Sequence, residues 1–198
     1  MARKATFDRD TVLAQARDLF WRKGYHATSL KDLEHALQLK PGSIYAAFGS
    51  KEALFCEALR MYARGSGDEM DRAYASGMSP LSVLADHARS LGTLCDQDRP
   101  ARACMLVKTI LEHPEEDSPV RRLAEDLMAE TGARFVAGFA RAKSAGELPK
   151  NADPERLGLK FQADVVGLRA FAQRSDGDRF VPALAEDLAR SVEAMRQT

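Results

Sequence analysis

Apolar residues recur at helical spacing along nearly the whole chain, and no run of alternating β-branched residues stands out, so an all-α fold is predicted. The first helix is expected from Arg9 to about Lys23. Asp8 can cap its start, Val12, Leu13, Ala16, Leu19 and Phe20 form one apolar stripe, and Gly24 ends it in a conformation that costs glycine little. Thr28 is expected to cap a short second helix that turns Leu30, Leu33 and Leu37 inward. Pro41, suited to a first helical turn, opens a third short helix to about Phe48. Gly49-Ser50 breaks and recaps the chain, and a fourth helix starts at Lys51 and passes Tyr62.

Two stretches of punctuation follow, Arg64-Gly65-Ser66-Gly67 and Ser76-Gly77-Met78-Ser79-Pro80. They suggest a division into residues 1–64, three helices with the fourth (51–64) as connector, and residues 65–198. In the second part, helices are expected at about 80–97, 101–113, 117–145, 154–175 and 179–196, separated by Pro100, Pro114 and the stretch from Gly146 to Pro154. There is no internal repeat or low-complexity tract.

Charge sharpens this division. The chain is neutral overall, yet residues 1–65 hold eleven Lys and Arg against seven Asp and Glu, a balance of +4 that leaves residues 66–198 at −4. A polyanion is drawn to the front of such a molecule and repelled by the rest. Cys56, Cys95 and Cys104 are an odd count without CxxC spacing, which disfavours both a disulfide framework and a zinc site. A redox pair of Cys95 and Cys104 is the less favoured reading, since neither has a neighbour that would lower a thiol pKa. His26, His35, His87 and His113 have no metal-ligand spacing, and no nucleophile, base and acid set or phosphate loop is evident, so neither an enzyme nor a metal cofactor is expected. No apolar run is long enough for a bilayer, and Met1 to Thr6 lead into none; the chain is expected to be unprocessed and cytoplasmic.

Three short helices with tight turns, the second and third joined by a few residues, are the arrangement whose third element lies in the major groove of DNA. The residues add a family resemblance. Leu19-Phe20-Trp21-Arg22-Lys23-Gly24-Tyr25-His26-Ala27-Thr28-Ser29-Leu30, followed by Leu39-Lys40-Pro41-Gly42-Ser43-Ile44-Tyr45-Ala46-Ala47-Phe48-Gly49-Ser50-Lys51-Glu52-Ala53-Leu54, resembles the DNA-binding signature of TetR/AcrR-family bacterial regulators. The resemblance covers about Asp8 to Ala58 and implies an N-terminal helix-turn-helix domain, a C-terminal helical domain for ligand binding and dimerisation, and phosphate contacts by Thr28, Tyr45 and Lys51.

Residue chemistry runs the same way. Gly42 lets the helix backbone approach DNA, Ser43 offers a small donor and acceptor, and Ala46 can meet a thymine methyl. Lys40 can read a guanine edge or neutralise phosphate, while Thr28 and Ser29 begin a helix whose free amides attract an anion. Bland alternatives stay open: Phe48 and Tyr45 as core aromatics, Lys40 and Lys51 as solvated charges, Arg3 and Lys4 as a disordered terminus rather than a minor-groove arm. Two positions depart from the family pattern. Gln38 replaces the usual turn glycine, so either a left-handed residue there costs about 1 kcal/mol or the turn is shaped differently. Glu34 replaces a small residue, which puts close packing of the second and third helices in question.

For the second part, the expected ligand-pocket residues are His87, Cys95, Met105, Phe135, Phe139 and Asp164, which are polar, polarizable or aromatic groups on otherwise apolar faces. Ala103-Cys104-Met105-Leu106-Val107-Lys108-Thr109 also resembles a sixth-helix segment of one branch of the family. Two stripes, Leu157, Phe161, Val165, Leu168 and Ala172, then Val181, Leu184, Leu188, Val192 and Met195, suit either a four-helix interface between two copies or an internal core. The expected partners are a palindromic double-stranded operator, an unidentified small-molecule effector and a second copy of the chain. The rival readings are a helical interaction domain that no longer touches DNA and a small-molecule enzyme in the C-terminal helices.

Overall fold

The computed structural model describes residues 7–96, 101–115 and 117–197, with the side chains of Ser66, Cys95 and Asp96 outside that description. The expectations for Arg3, Lys4 and the Cys95 side chain therefore lie outside the described residues. Among the described residues the chain is helical throughout: α1 (Arg9–Lys23), α2 (Leu30–Leu37), α3 (Pro41–Phe48), α4 (Lys51–Ala75), α5 (Pro80–Ser90), a 3-10 turn (Leu91–Asp96), α6 (Met105–Glu112), α7 (Pro119–Ser144), α8 (Pro154–Phe171) and α9 (Gly177–Glu193). Local signals place most of the ends. Asp8, Ser50, Ser79, Ser118 and Asp153 each accept a backbone N–H in the first turn of the helix they precede, and Pro41, Pro80, Pro119 and Pro154 each open one.

Two apolar cores result. The first gathers Phe20, Leu33, Ile44, Leu54, Phe55 and Leu59 from α1 to α4, and is completed by Met105, Leu106, Val120 and Leu127 from α6 and α7. The second is built from α5, α7, α8 and α9 around Leu81, Leu84, Phe139, Phe161 and Val181. Helix α6 and the residues just before it are joined to α1 and the turn after it by polar links as well. Trp21 Nε1 donates to the Ala103 carbonyl at 2.7 Å, Lys108 Nζ to the Trp21 carbonyl at 2.6 Å, and the Tyr25 amide to Glu112 Oε2 at 3.0 Å.

Several expectations are corrected. Ser29, not Thr28, caps α2: its hydroxyl accepts the Asp32 amide, and Asp32 accepts the Ser29 amide in return, a reciprocal capping box. Helix α4 does not end near Gly65 but runs to Ala75, where Ser76 and Gly77 stop it. Of the two glycines inside it, Gly67 lies against a neighbour: a Cβ there would lie 1.3 Å from Arg134 Nη1 of α7, so the guanidinium would have to shift, whereas a Cβ on Gly65 would meet nothing within 4 Å. The helix expected over 80–97 turns to 3-10 geometry at Leu91, and that over 101–113 begins only at Met105. Phe161, Val165, Leu168, Ala172, Val181 and Val192, read as candidate interface, are buried within the second core, with Leu157, Leu188 and Met195 packed against it. An apolar stripe marks a buried face, and here the chain buries most of it against itself.

Gln38 has the left-handed conformation that its position demands, φ 53° and ψ 35°, the one non-glycine residue with positive φ among the described residues. Its side-chain amide donates to the His35 carbonyl at 2.6 Å, partial compensation for the strain. Gln38→Gly is expected to raise stability by about 0.5–1 kcal/mol, read as a higher urea midpoint at unchanged m-value. A lower midpoint would show that the side-chain bond outweighs the backbone strain. Glu34 is exposed.

Candidate nucleic-acid interface and ligand cavity

Helix α3 buries Ile44 and Phe48 and leaves Gly42, Ser43, Tyr45 and Ala46 outside. Tyr45 is 43% exposed, so its phenol is a surface group, whereas Phe48 is a core residue beneath the Arg9 guanidinium, 4.7 Å from the ring centre. Lys40 caps the backbone of α3 without a side-chain cap bond and is exposed. A Cβ on Gly42 would meet nothing within 4 Å, so no contact inside the molecule requires glycine there.

The two flanking anion positions differ from expectation. Thr28 is fully buried and its hydroxyl donates to the Gly24 carbonyl at 2.6 Å, so this side chain serves the turn rather than a phosphate. Ser29 is exposed, but the amides of Ser29 and Asp32 are already taken by the capping box. Asp32 is held far below the usual carboxylate range by hydrogen bonding with Lys23, at 2.8 Å, and with Ser29. Lys51 opens α4 with its ammonium 4.4 Å from the Tyr25 ring centre, and partial burial lowers its pKa against the opposing pull of Asp32.

A cavity of about 230 Å³ lies behind this unit. Its walls come from α1 (Arg17, Trp21), α4 (Met61, Tyr62), α7 (Met128, Phe135) and α8 (Val165, Arg169), with His87 of α5 and Cys104 before α6. Of the residues expected to line a pocket, His87 and Phe135 do so. Met105 and Phe139 are core residues outside the lining. Asp164 is a correction: it pairs with Lys160 at 2.6 Å and lines a shallow groove on the outer face of α8 and α9 with Ala163, Gly167, Phe171, Leu184 and Leu188. Arg169, Tyr62, Trp21 and Gln162 were not expected. One signal for α8 was available, since Gln162, Val165, Val166 and Arg169 follow helical spacing and place two polar residues on an inward face.

Burial, and secondarily the Arg169 charge, lower the His87 pKa to about 4. Its imidazole is therefore neutral at pH 7, with its ring 5.3 Å from Phe135. Between the ordinary value of 6.5 and about 4, the unfolded chain holds a proton at this residue that the folded chain does not. Stability is thus lost as pH falls through that window, by at most about 3 kcal/mol from this group. His87→Phe is expected to flatten the fall between pH 6.5 and 4 in urea unfolding. An unchanged slope would exclude His87 as its source.

A helix-turn-helix with an exposed third helix, carried on a helical body, is the architecture of a DNA-binding transcription regulator. Residues 12–58 match the model for bacterial regulatory proteins of the tetR family. The chain is 32% identical over 177 residues to the uncharacterized HTH-type transcriptional regulator YezE of Bacillus subtilis (strain 168), spanning 84% of this chain and 91% of that protein. It is 27% identical to the HTH-type transcriptional repressor ComR of Escherichia coli (strain K12), over 86% of this chain and 82% of ComR. Its fold is similar to that of a cysteine mutant of the TetR-family regulator CifR complexed with 26-bp double-strand operator DNA: TM-score 0.79 and 30% identity, over 96% of this chain and 99% of that one. The chain belongs to the tetR family of bacterial regulatory proteins, a family of non-enzymatic DNA-binding regulators. Among the described residues, no helix is long and apolar enough to cross a membrane, and no group of three His, Cys, Asp or Glu is placed to hold a metal ion.

Proposed function

We propose that the protein is a homodimeric repressor that grips a palindromic operator through α3 and releases it when a small molecule enters the cavity. The observation that carries this reading is the origin of the cavity walls: α1 and α4, which belong to the DNA-binding unit, face α7 and α8 across the space. A ligand lodged there bears on α1 and α4 directly and favours a different tilt of α4, which changes the separation of two α3 helices in a dimer. Coupling of this kind is reciprocal, so operator DNA weakens ligand binding by the same factor.

The DNA-facing set is Ser29, Lys40, Gly42, Ser43, Tyr45, Ala46 and Lys51, with Thr28 removed by its burial. The dimer surface is the outer face of α8 and α9, where Leu184 is 40% exposed and Leu188, Phe171, Ala163 and Gly167 line a shallow apolar groove. An isologous four-helix contact across that face pairs the protomers and sets two α3 helices about 34–36 Å apart, one turn of DNA. ComR, to which this chain is similar, is a transcriptional repressor, and CifR, which shares its fold, binds double-strand operator DNA; both support the reading.

Selection of bound fragments from random DNA by the purified protein tests the reading. The expected product is a palindrome with half-sites about 10 bp apart, bound by a dimer at least about a thousandfold more tightly than unrelated DNA. Binding without sequence preference, or a single half-site bound by a monomer, would overturn it.

A further inference from the structure

We infer that the cavity selects a small organic acid, one carboxylate on a single-ring or similarly compact apolar body, with Arg169 as the counter-ion. The inference rests on the cavity being the effector site and adds the chemical class of the effector.

A space of about 230 Å³ is modestly larger than an apolar cavity of about 150 Å³ that accepts benzene, so it suits one ring with a short substituent rather than a multi-ring drug. The body of the ligand meets Phe135, Trp21, Met61, Met128, Leu106 and Val165. Trp21 and Tyr62 pack edge to face, with ring centres 5.0 Å apart, and make a firm aromatic wall.

Charge decides the rest. The lining contains two guanidinium groups and no Asp or Glu. Arg17 is already neutralised, with Nη2 2.7 Å from Asp18 Oδ1. Arg169 has no carboxylate partner among the described residues. Among the described residues its one hydrogen bond is from Nη1 to the Arg102 carbonyl at 3.3 Å, a single contact for a group with five donors. A half-buried cation beside an apolar cavity is unfavourable by itself, and a ligand carboxylate both neutralises it and accepts a bidentate pair. Nearby polar groups do not supply that anion. His87 is neutral at pH 7, and burial pushes the Tyr62 phenol pKa up, so it remains protonated. The Gln162 amide is turned to the Met128 carbonyl at 2.7 Å. Arg169 is therefore the site's organising charge, and the positive potential it projects is felt at His87, where it adds to the lowering of the imidazole pKa.

The chain has one tryptophan, Trp21, and it lies in the cavity wall, so its fluorescence reports occupancy. Full-length protein is titrated with phenylacetate, phenylacetamide and acetate. Phenylacetate is expected to change the emission saturably and to bind at least about tenfold more tightly than the amide, with acetate weaker than phenylacetate for want of an apolar body. Arg169→Gln is expected to abolish the preference for acid over amide, and Arg169→Lys to keep part of it. Equal binding of acid and amide by the native protein, binding of neither acid, or a preference that survives Arg169→Gln in a folded variant overturns the inference. The comparison of acid with amide on the native protein stands even where a variant fails to fold. Operator release is read separately by DNA mobility. Acid that binds while the operator stays bound overturns ligand-driven release and leaves the anion preference intact; release by the amide alone does the reverse.

Discussion

Gly42→Ala is expected to leave the folded protein as stable as before or more stable by up to about 1 kcal/mol, while weakening operator binding by about tenfold or more. The two halves of that result have separate causes. A methyl group at residue 42 meets nothing within 4 Å inside the molecule, and alanine is the better helix former, so folding has no reason to suffer. Gly42 lies in the first turn of α3 on its exposed side, beside Ser43; in the proposed complex this is where backbone and bases approach most closely, and there a methyl would hold the duplex away. Thermal unfolding and operator titration on the same preparation separate the two effects. Unchanged operator affinity would remove Gly42 from the interface, and with it the close approach of the α3 backbone.

The opposite behaviour is expected of Gly158→Ala, which should lower stability by about 1–3 kcal/mol. Here a Cβ would lie 2.5 Å from the Val136 amide nitrogen and 2.7 Å from its Cα, both backbone atoms of α7 that cannot rotate aside. Helices α7 and α8 must then part, and the second core, which holds Phe135, Phe139 and Phe161 between them, loosens. A denaturation midpoint equal to that of the native chain would mean that α8 can shift along α7 at little cost.

The DNA-binding unit was legible because its signals are local. Asp8, Gly24, Pro41 and the Gly49-Ser50 pair each act within one turn of the residue they cap or stop, and the predicted limits of α1 and α3 coincide with those found. The exchange of Thr28 for Ser29 as the cap of α2 shows the limit of such reading. Both are hydroxyl residues, and the choice depends on Asp32 standing three positions after Ser29, a spacing that was there to be used. The run of α4 past Gly65 was not legible, because the residue that explains Gly67 is Arg134, far along the chain. Part of the stripes on the two last helices was misread for another reason. Periodicity identifies a face that is buried and is silent about which molecule buries it, so Phe161 and Val181 gave the same signal that an interface gives. The cavity was partly visible in His87 and Phe135, and its charge was missed because Arg169, read alone, resembles any solvated arginine.

The first core closes only when Met105, Leu106, Val120 and Leu127 cover helices that precede them by dozens of residues. Chimaeras that graft the leading helices of this protein onto another regulator's body must therefore transplant a matching underside as well. Without it, the borrowed reading head would sit on a stranger's surface with a bare oily flank, and would precipitate sooner than it would find a promoter.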